Sequence, residues 1–230
     1  MERVAVYRGP KNVSGERVAA ALKKLRIRFE FVGPEEIEAG RLAEFAALVL
    51  PGGHSIALDP AGVREVKRYV ASGGGVLGIC AGAQFGILAR LLPVRWKALR
   101  ASGIFDMRVV AKHPVTRGYS VAGKHPKGAP WKYSNRGRVR VRYCNGGILR
   151  ASSGATVVVS FDEEGDMGAI VAGPFGRGRV VLMTPHPEST PAARECGPFV
   201  SDAEKSQEPL NLFANAIGFL TRRNSPRAGG

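Results

Sequence analysis

The residues with the clearest chemical potential in this sequence are Gly78-Ile79-Cys80-Ala81-Gly82, a run that closes an apolar strand and opens a helix. A cysteine at the tip of such a turn, with small residues two positions to either side, is the thiol form of the G-x-S-x-G nucleophile turn. The turn strains the nucleophile's backbone, bulky side chains at Gly78 or Gly82 would strike neighbouring elements, and the first amides of the new helix favour the reactive thiolate. The competing reading is a buried structural thiol, since free cysteine is among the most buried residue types. Pro185-His186-Pro187-Glu188 supplies a partner. In an extended backbone His186 and Glu188 point to the same side, so the carboxylate can hold the imidazole in the tautomer that offers a free nitrogen to a thiol. Pro185 and Pro187 fix their own φ and restrict the residue before each, which pre-sets this geometry. The third element is Pro51-Gly52-Gly53, either an ordinary tight turn or one whose amides, with that of Ala81, form an oxyanion hole. His54, next in sequence, is either a substrate contact or a polar loop residue.

Each of these motifs needs a strand to carry it, and the sequence supplies one in each case. Val4–Tyr7, Ile27–Val32, Ala46–Leu50 and Val76–Ile79 are short apolar runs suited to strands buried on both faces. They alternate with helices expected from about Ser14, from Pro60 to Ala71, and from Cys80 to about Leu92. This alternation predicts an α/β fold with a doubly wound, mostly parallel sheet flanked by helices, and ligands beyond the carboxyl ends of its strands. After Pro93 the pattern changes to short runs punctuated by Gly and Pro, at Ile104–Ala111, Val139–Tyr143, Ile148–Ala151, Ala155–Phe161 and Ala169–Ala172, which predict an antiparallel extension. Strict alternation over 138–143 puts Arg138, Arg140 and Arg142 on one face, as a solvated surface or, less simply, a phosphate-binding stripe. Lys112–Asn135 is expected to be a basic, loop-rich insertion. A buried strand over Arg179–Thr184 leads into the histidine motif, and a last helix carries Leu210, Phe213, Ile217 and Leu220.

With 230 residues, the chain is expected to form one domain over 1–223 with a disordered tail over 224–230. Hydrophobic residues at 44% and charged residues at 23% are globular values, and no apolar run approaches the roughly 20 residues of a membrane span. The N-terminus lacks a cleavage pattern, so a cytoplasmic location is expected. Three cysteines without CxxC or Cys/His spacing argue against a disulfide framework and a zinc site, and neither a metal nor a cofactor is expected. His113 and His125 are expected at the surface, with Cys144 and Cys196 structural or incidental. The formal charge of +15 asks for an anionic partner to be considered. Positive residues occur along the whole chain, however, without an aromatic-interleaved basic cluster or a helix-turn-helix pattern, so a nucleic-acid role is not expected. Few Gln, abundant Arg and 15 Pro suit a heat-adapted protein.

Through the Pro-Gly-Gly turn, the Gly78–Gln84 segment and the Pro-His-Pro-Glu ending, the sequence resembles the class I glutamine amidotransferase-like superfamily, whose sheet is flavodoxin-like. Within it, the 51–62 approach, Tyr143-Cys144-Asn145-Gly146-Gly147 and Gly176-Arg177-Gly178-Arg179 are most similar to the amidotransferase-like domain at the N-terminus of some biotin–protein ligases. The resemblance implies a thiolate nucleophile at Cys80, a base at His186, an orienting Glu188, and a γ-glutamyl thioester formed with release of ammonia. It further implies that Gln84 helps hold a bound glutamine. Free-standing members of the family supply ammonia to a synthetase, so a separate synthetase or ligase partner is implied. Residues 93–135, where glutamine-recognising positions would fall, do not match. Two other functions fit the same fold: a non-catalytic binding module that uses its positive surface, and a thiol hydrolase acting on peptides or modified proteins.

Overall fold

The computed structural model of the protein describes residues 3–9, 15–121, 137–162, 165–189 and 209–222. Three parallel strands near the N-terminus, β1 (Val4–Tyr7), β2 (Phe29–Val32) and β3 (Ala47–Leu50), form because apolar runs of four residues can bury both faces only inside a covered sheet. Helices α1 (Gly15–Lys24), α2 (Pro34–Glu38) and α3 (Pro60–Ala71) fall between and after them. Asp59 caps α3 by accepting from the Gly62 amide, and Pro60 follows at its first position, where a missing N–H costs nothing. Then come β4 (Gly75–Ile79) and α4 (Ala81–Leu88), joined through Cys80 alone.

The antiparallel part comprises β5 (Val94–Ala98), β6 (Ser102–Val109), β7 (Arg138–Cys144), β8 (Gly147–Ala151), β9 (Thr156–Ser160) and β10 (Gly168–Phe175). The chain then returns through β11 (Gly178–Met183) and ends its described part in α5 (Pro209–Thr221). Among the described residues all 11 strands belong to one sheet, with the order β2-β1-β3-β4-β11-β10-β9-β6-β7 and β8 bridging β5 to β10. The doubly wound half, β2-β1-β3-β4-β11, is parallel throughout. Strand β11 is therefore the seam: parallel to β4 on one side and antiparallel to β10 on the other, through a tight hairpin at Gly176-Arg177. The Gly176–Arg179 segment is thus the hairpin turn ahead of the histidine strand.

Two apolar layers cover the sheet. Helices α1 and α5 pack one face, where Val18, Leu22, Phe213, Ile217 and Leu220 meet Val4, Val49, Leu77 and Val181. Helices α3 and α4 pack the other, where Val66, Val70, Ala83 and Phe85 meet Ala5, Leu48, Val76 and Leu182. Each fully buried aliphatic side chain contributes roughly 2 kcal/mol before conformational entropy is charged against it.

Three local expectations change. Helix α4 ends at Leu88, well before Leu92, because Arg90 takes a positive φ that breaks the helix. Val94–Ala98 forms a strand, although its sequence VRWKA alternates weakly, because β8 offers it a full antiparallel register. His113 is half-buried: its ring accepts from the Val115 amide and packs edge-on against Phe219, and burial pushes its pKa down. Ser14, His125, Cys196 and the 224–230 tail lie outside the described residues.

The small residues around Cys80 are fixed by close backbone approach. A Cβ on Gly82 would lie 1.9 Å from the Leu50 carbonyl oxygen, and one on Gly78 would lie 2.5 Å from the Gly82 carbonyl oxygen. In α5, by contrast, Gly218 has nothing within 4 Å of where its Cβ would be. Gly82→Ala is therefore expected to lower the unfolding free energy by about 3 kcal/mol or more. Gly218→Ala is expected to raise it by about 0.5–1 kcal/mol. Urea unfolding of the two variants beside wild type checks both signs.

Candidate active site

Cys80 occupies a backbone conformation that a side-chain-bearing residue rarely adopts, with φ 51° and ψ −107°. Such strain costs of order 1–3 kcal/mol and persists only where the surroundings over-determine it. Here they do. The Cys80 amide donates to the Met183 carbonyl at 2.7 Å, tying the turn to the end of β11, while Gly82 sits directly on the end of β3. Because β4 lies between β3 and β11, the thiol is lifted at the carboxyl edge of three adjacent parallel strands. Helix α4 starts at the next residue, so its positive end faces the sulfur.

His186 follows β11 by three residues, and its amide donates to the Arg142 carbonyl of β7 at 2.7 Å. Gly52 locates its ring relative to Cys80. A Cβ on Gly52 would lie 2.7 Å from His186 Cε1 and 3.3 Å from Cys80 Cβ, so both side chains converge on this glycine. Glu188 does not reach His186 through the extended backbone expected from the sequence. It lies in a 3-10 turn, Pro187–Ser189, which folds its carboxylate back so that Oε1 is 2.9 Å from His186 Nδ1. Nδ1–H donating to this oxygen leaves Nε2 for the sulfur. Both residues are buried, and Glu188 Oε2 has no hydrogen-bond partner among the described residues.

The electrostatics follow from this enclosure. Burial alone would push the imidazole down, but hydrogen bonds to Cys80 and Glu188, and the negative charge of both, outweigh it and push His186 up to about 10. A carboxylate held out of water is compensated by the imidazolium beside it, which favours the charged ring. Thiol, imidazole and carboxylate thus form one cluster at the carboxyl ends of the strands.

The other expected site residues lie on the segments that carry this centre. Gly53 has φ 133°, a conformation open to glycine, and Ala81 is buried as the first residue of α4. His54 and Gln84 are exposed, Gln84 one helical turn beyond Cys80 with its amide donating to the Cys80 carbonyl at 3.0 Å. The loop beyond the glycine turn is anchored at Ala57. The phenol of the fully buried Tyr7 donates to the Ala57 carbonyl at 2.9 Å and accepts from the Ala57 amide at 3.1 Å.

Residues not expected from their own types also reach the centre. The Cys144 carbonyl lies 3.8 Å from Cys80 Sγ, so Cys144 contributes backbone to the site while its exposed thiol contacts Ser102 Oγ at 3.5 Å. Tyr143, one residue earlier, donates to the Leu99 carbonyl at 2.8 Å. Burial, then the charges of Cys80 and Cys144, push its phenol up to about 12. The signal that could have located this loop is Asn145-Gly146-Gly147. Asn145 has φ 48°, and a Cβ on Gly146 would lie 3.0 Å from the Thr184 carbonyl oxygen, just ahead of the histidine segment.

The profile of the biotin–protein ligase N-terminal family matches residues 3–92, from β1 to just beyond α4. No curated protein matches the chain. Among solved structures, a chain of PurLQS from Thermotoga maritima is 19% identical and superimposes with a TM-score of 0.67, covering 96% of this chain and 100% of that one. A candidate GMP synthase subunit from Thermoplasma acidophilum is 18% identical, with a TM-score of 0.63 over 96% of this chain and 94% of its own. A beta-galactosidase from Bacillus circulans sp. alkalophilus is 16% identical and superimposes at a TM-score of 0.55, over 97% of this chain but only 32% of its own length. At such identities the likeness is one of fold. The chain has the class I glutamine amidotransferase-like fold, and over residues 3–92 it is similar to the biotin–protein ligase N-terminal family.

Proposed function

We propose that the protein is a cysteine-dependent amidase of the glutamine amidotransferase type, acting through Cys80, His186 and Glu188. The observation that carries this reading is the strained backbone of Cys80 beside an imidazole that is itself held by a buried carboxylate. In the proposed cycle the Cys80 thiolate attacks the carbon of a carboxamide, and the oxyanion is received by amides of the Gly52-Gly53 turn and Ala81. The His186 imidazolium gives its proton to the departing nitrogen, which leaves as ammonia, and the acyl group remains on sulfur as a thioester. Neutral His186 then takes a proton from water as that water attacks the thioester. A carboxylic acid leaves, and the thiolate and imidazolium are restored. Glutamine is the substrate the fold suggests, with Gln84 and His54 as candidate contacts. The likeness to a protein described as part of a synthase supports a separate partner that would consume the ammonia.

Cys80→Ala is expected to lower glutamine hydrolysis by about ten-thousand-fold or more. A glutamine-analogue electrophile is expected to label wild type once, at Cys80, by peptide mass mapping. Labelling that persists in Cys80→Ala, or that falls equally on exposed Cys144, would count against the assignment. Glu188→Gln should lower kcat by about a hundred- to ten-thousand-fold, because the imidazole loses its orientation and the stabiliser of its charge.

The same variant gives a pH signature in stability. Folding raises the His186 pKa from an ordinary value of about 6.5, so the linked stabilisation is complete below about pH 6.5 and is lost as pH climbs through about 10. Glu188→Gln removes part of that rise. The melting-temperature difference, wild type minus variant, should therefore be largest near pH 6 and should shrink toward pH 10. A difference that is flat or grows with pH would exclude a stabilising imidazolium.

A further inference from the structure

Although positive residues occur throughout the chain, their excess does not. Residues 94–150 contain 14 Lys and Arg against the single acid Asp106, a net +13 of the total +15, whereas the remainder holds 20 against 18. Several arginines outside this segment have carboxylate partners of their own, as in Arg3 with Glu30 and Glu44, Arg8 with Glu16, and Arg68 with Glu65, whereas Arg108 and Arg138 share Asp106. Within it the charge is ordered by the β6–β7 pair. Arg108 stands opposite Arg138, Asp106 opposite Arg140 and Ile104 opposite Arg142, so these six share one face. The other face carries Met107, Val139, Val141 and Tyr143 into the core. Arg138 and Arg140 are exposed, and Asp106 pairs with Arg138 at 3.3 Å.

The end of this strand pair reaches the thiol through backbone. The next cross-strand pair, Ser102 and Cys144, ends β7 where the Cys144 carbonyl meets Cys80 Sγ at 3.8 Å, and the Arg142 carbonyl accepts from the His186 amide. Arginines recur at every second residue of β7, about 6.7 Å apart, which is also the spacing of side chains on one side of an extended peptide. The aromatic residues of the pair, Phe105 and Tyr143, meet edge-on on the core side, so among the described residues the arginine face of this pair offers no ring to a nucleic-acid base. Asp106 at its centre opposes an unbroken phosphate backbone, whereas a peptide can set a neutral residue there.

We propose that the outward face of β6–β7 docks an extended acidic peptide, with carboxylates at alternate positions against Arg138, Arg140 and Arg142, and so presents a carboxamide of that peptide to Cys80. The delivery step rests on the amidase reading; the docking does not. The substrate class is then a glutaminyl or asparaginyl side chain beside an acidic run, converted with water to a carboxylate and ammonia.

The test uses two fluorescein-labelled peptides of alternating Glu and Ala, one with Gln at its N-terminal end and one with Gln at its C-terminal end. Anisotropy titrations of the full chain should show binding that weakens steeply with salt. Arg138→Ala/Arg140→Ala should raise Kd by about tenfold or more, and the corresponding double Lys variant should recover most of the loss. Lys23→Ala/Lys24→Ala removes the same charge from α1 and should leave Kd within about twofold. One of the peptides should release ammonia with a higher kcat/KM than free glutamine, and the arginine double variant should lose that advantage while keeping its rate on free glutamine. Salt-insensitive binding, equal effects of the arginine and lysine double variants, or tighter binding of a single-stranded oligothymidylate at the same arginines would overturn the proposal. Cys80→Ala should bind the peptides unchanged. Peptide binding through the arginines with no ammonia released by wild type would leave the docking intact and refute the amidase. Hydrolysis of free glutamine without peptide binding would do the reverse.

Discussion

The approach of the first turn of α4 to the end of β3, closed to the point where no Cβ fits on Gly82, is the constraint from which the site follows. A helix that close to the strand ends cannot be entered by relaxed backbone. Cys80 must absorb the change of direction in one residue, and its amide is drawn to the Met183 carbonyl as it does so. The strain is repaid by two covered sheet faces rather than locally, since both apolar layers must form for β3, β4 and β11 to lie side by side. Precision at the sulfur is therefore a property of the whole sheet.

Against this rigid half stands a second source of control, the enclosure of charge. His186 and Glu188 are both buried, and the carboxylate favours the charged form of the ring. An isolated carboxylate in that position would be costly, because one of its oxygens has no other partner among the described residues. The buried pair therefore favours the charged form of the ring beside the sulfur.

The parallel half and its turn were legible because they obey short-range rules. Apolar runs of four or five residues, Gly78 and Gly82 around a cysteine, and Pro60 behind Asp59 each have one economical structural meaning. The contributions of Tyr7 and Cys144 were not legible. Tyr7 reads as one more apolar strand residue, and only the path of the 51–59 loop shows that its hydroxyl is needed. Cys144 acts through its carbonyl, which no side-chain pattern can announce. Likewise His186 and Glu188 were recognisable as partners, but the 3-10 turn that joins them depends on contacts with α1 and α5 from distant sequence. The arginine periodicity of β7 was visible, whereas its meaning depended on knowing where that strand ends.

The insertion of β11 between β4 and β10 has a consequence for how the Cys80 turn is completed during synthesis. Residues 75–79 emerge from the ribosome about a hundred residues before the strand that flanks them. Until Met183 is available to grip the Cys80 amide, the turn lacks one of its anchors, and His186 has not yet been made. The Cys80 turn thus stays without its Met183 anchor for most of translation and gains it only as β11 slots into the middle of the sheet.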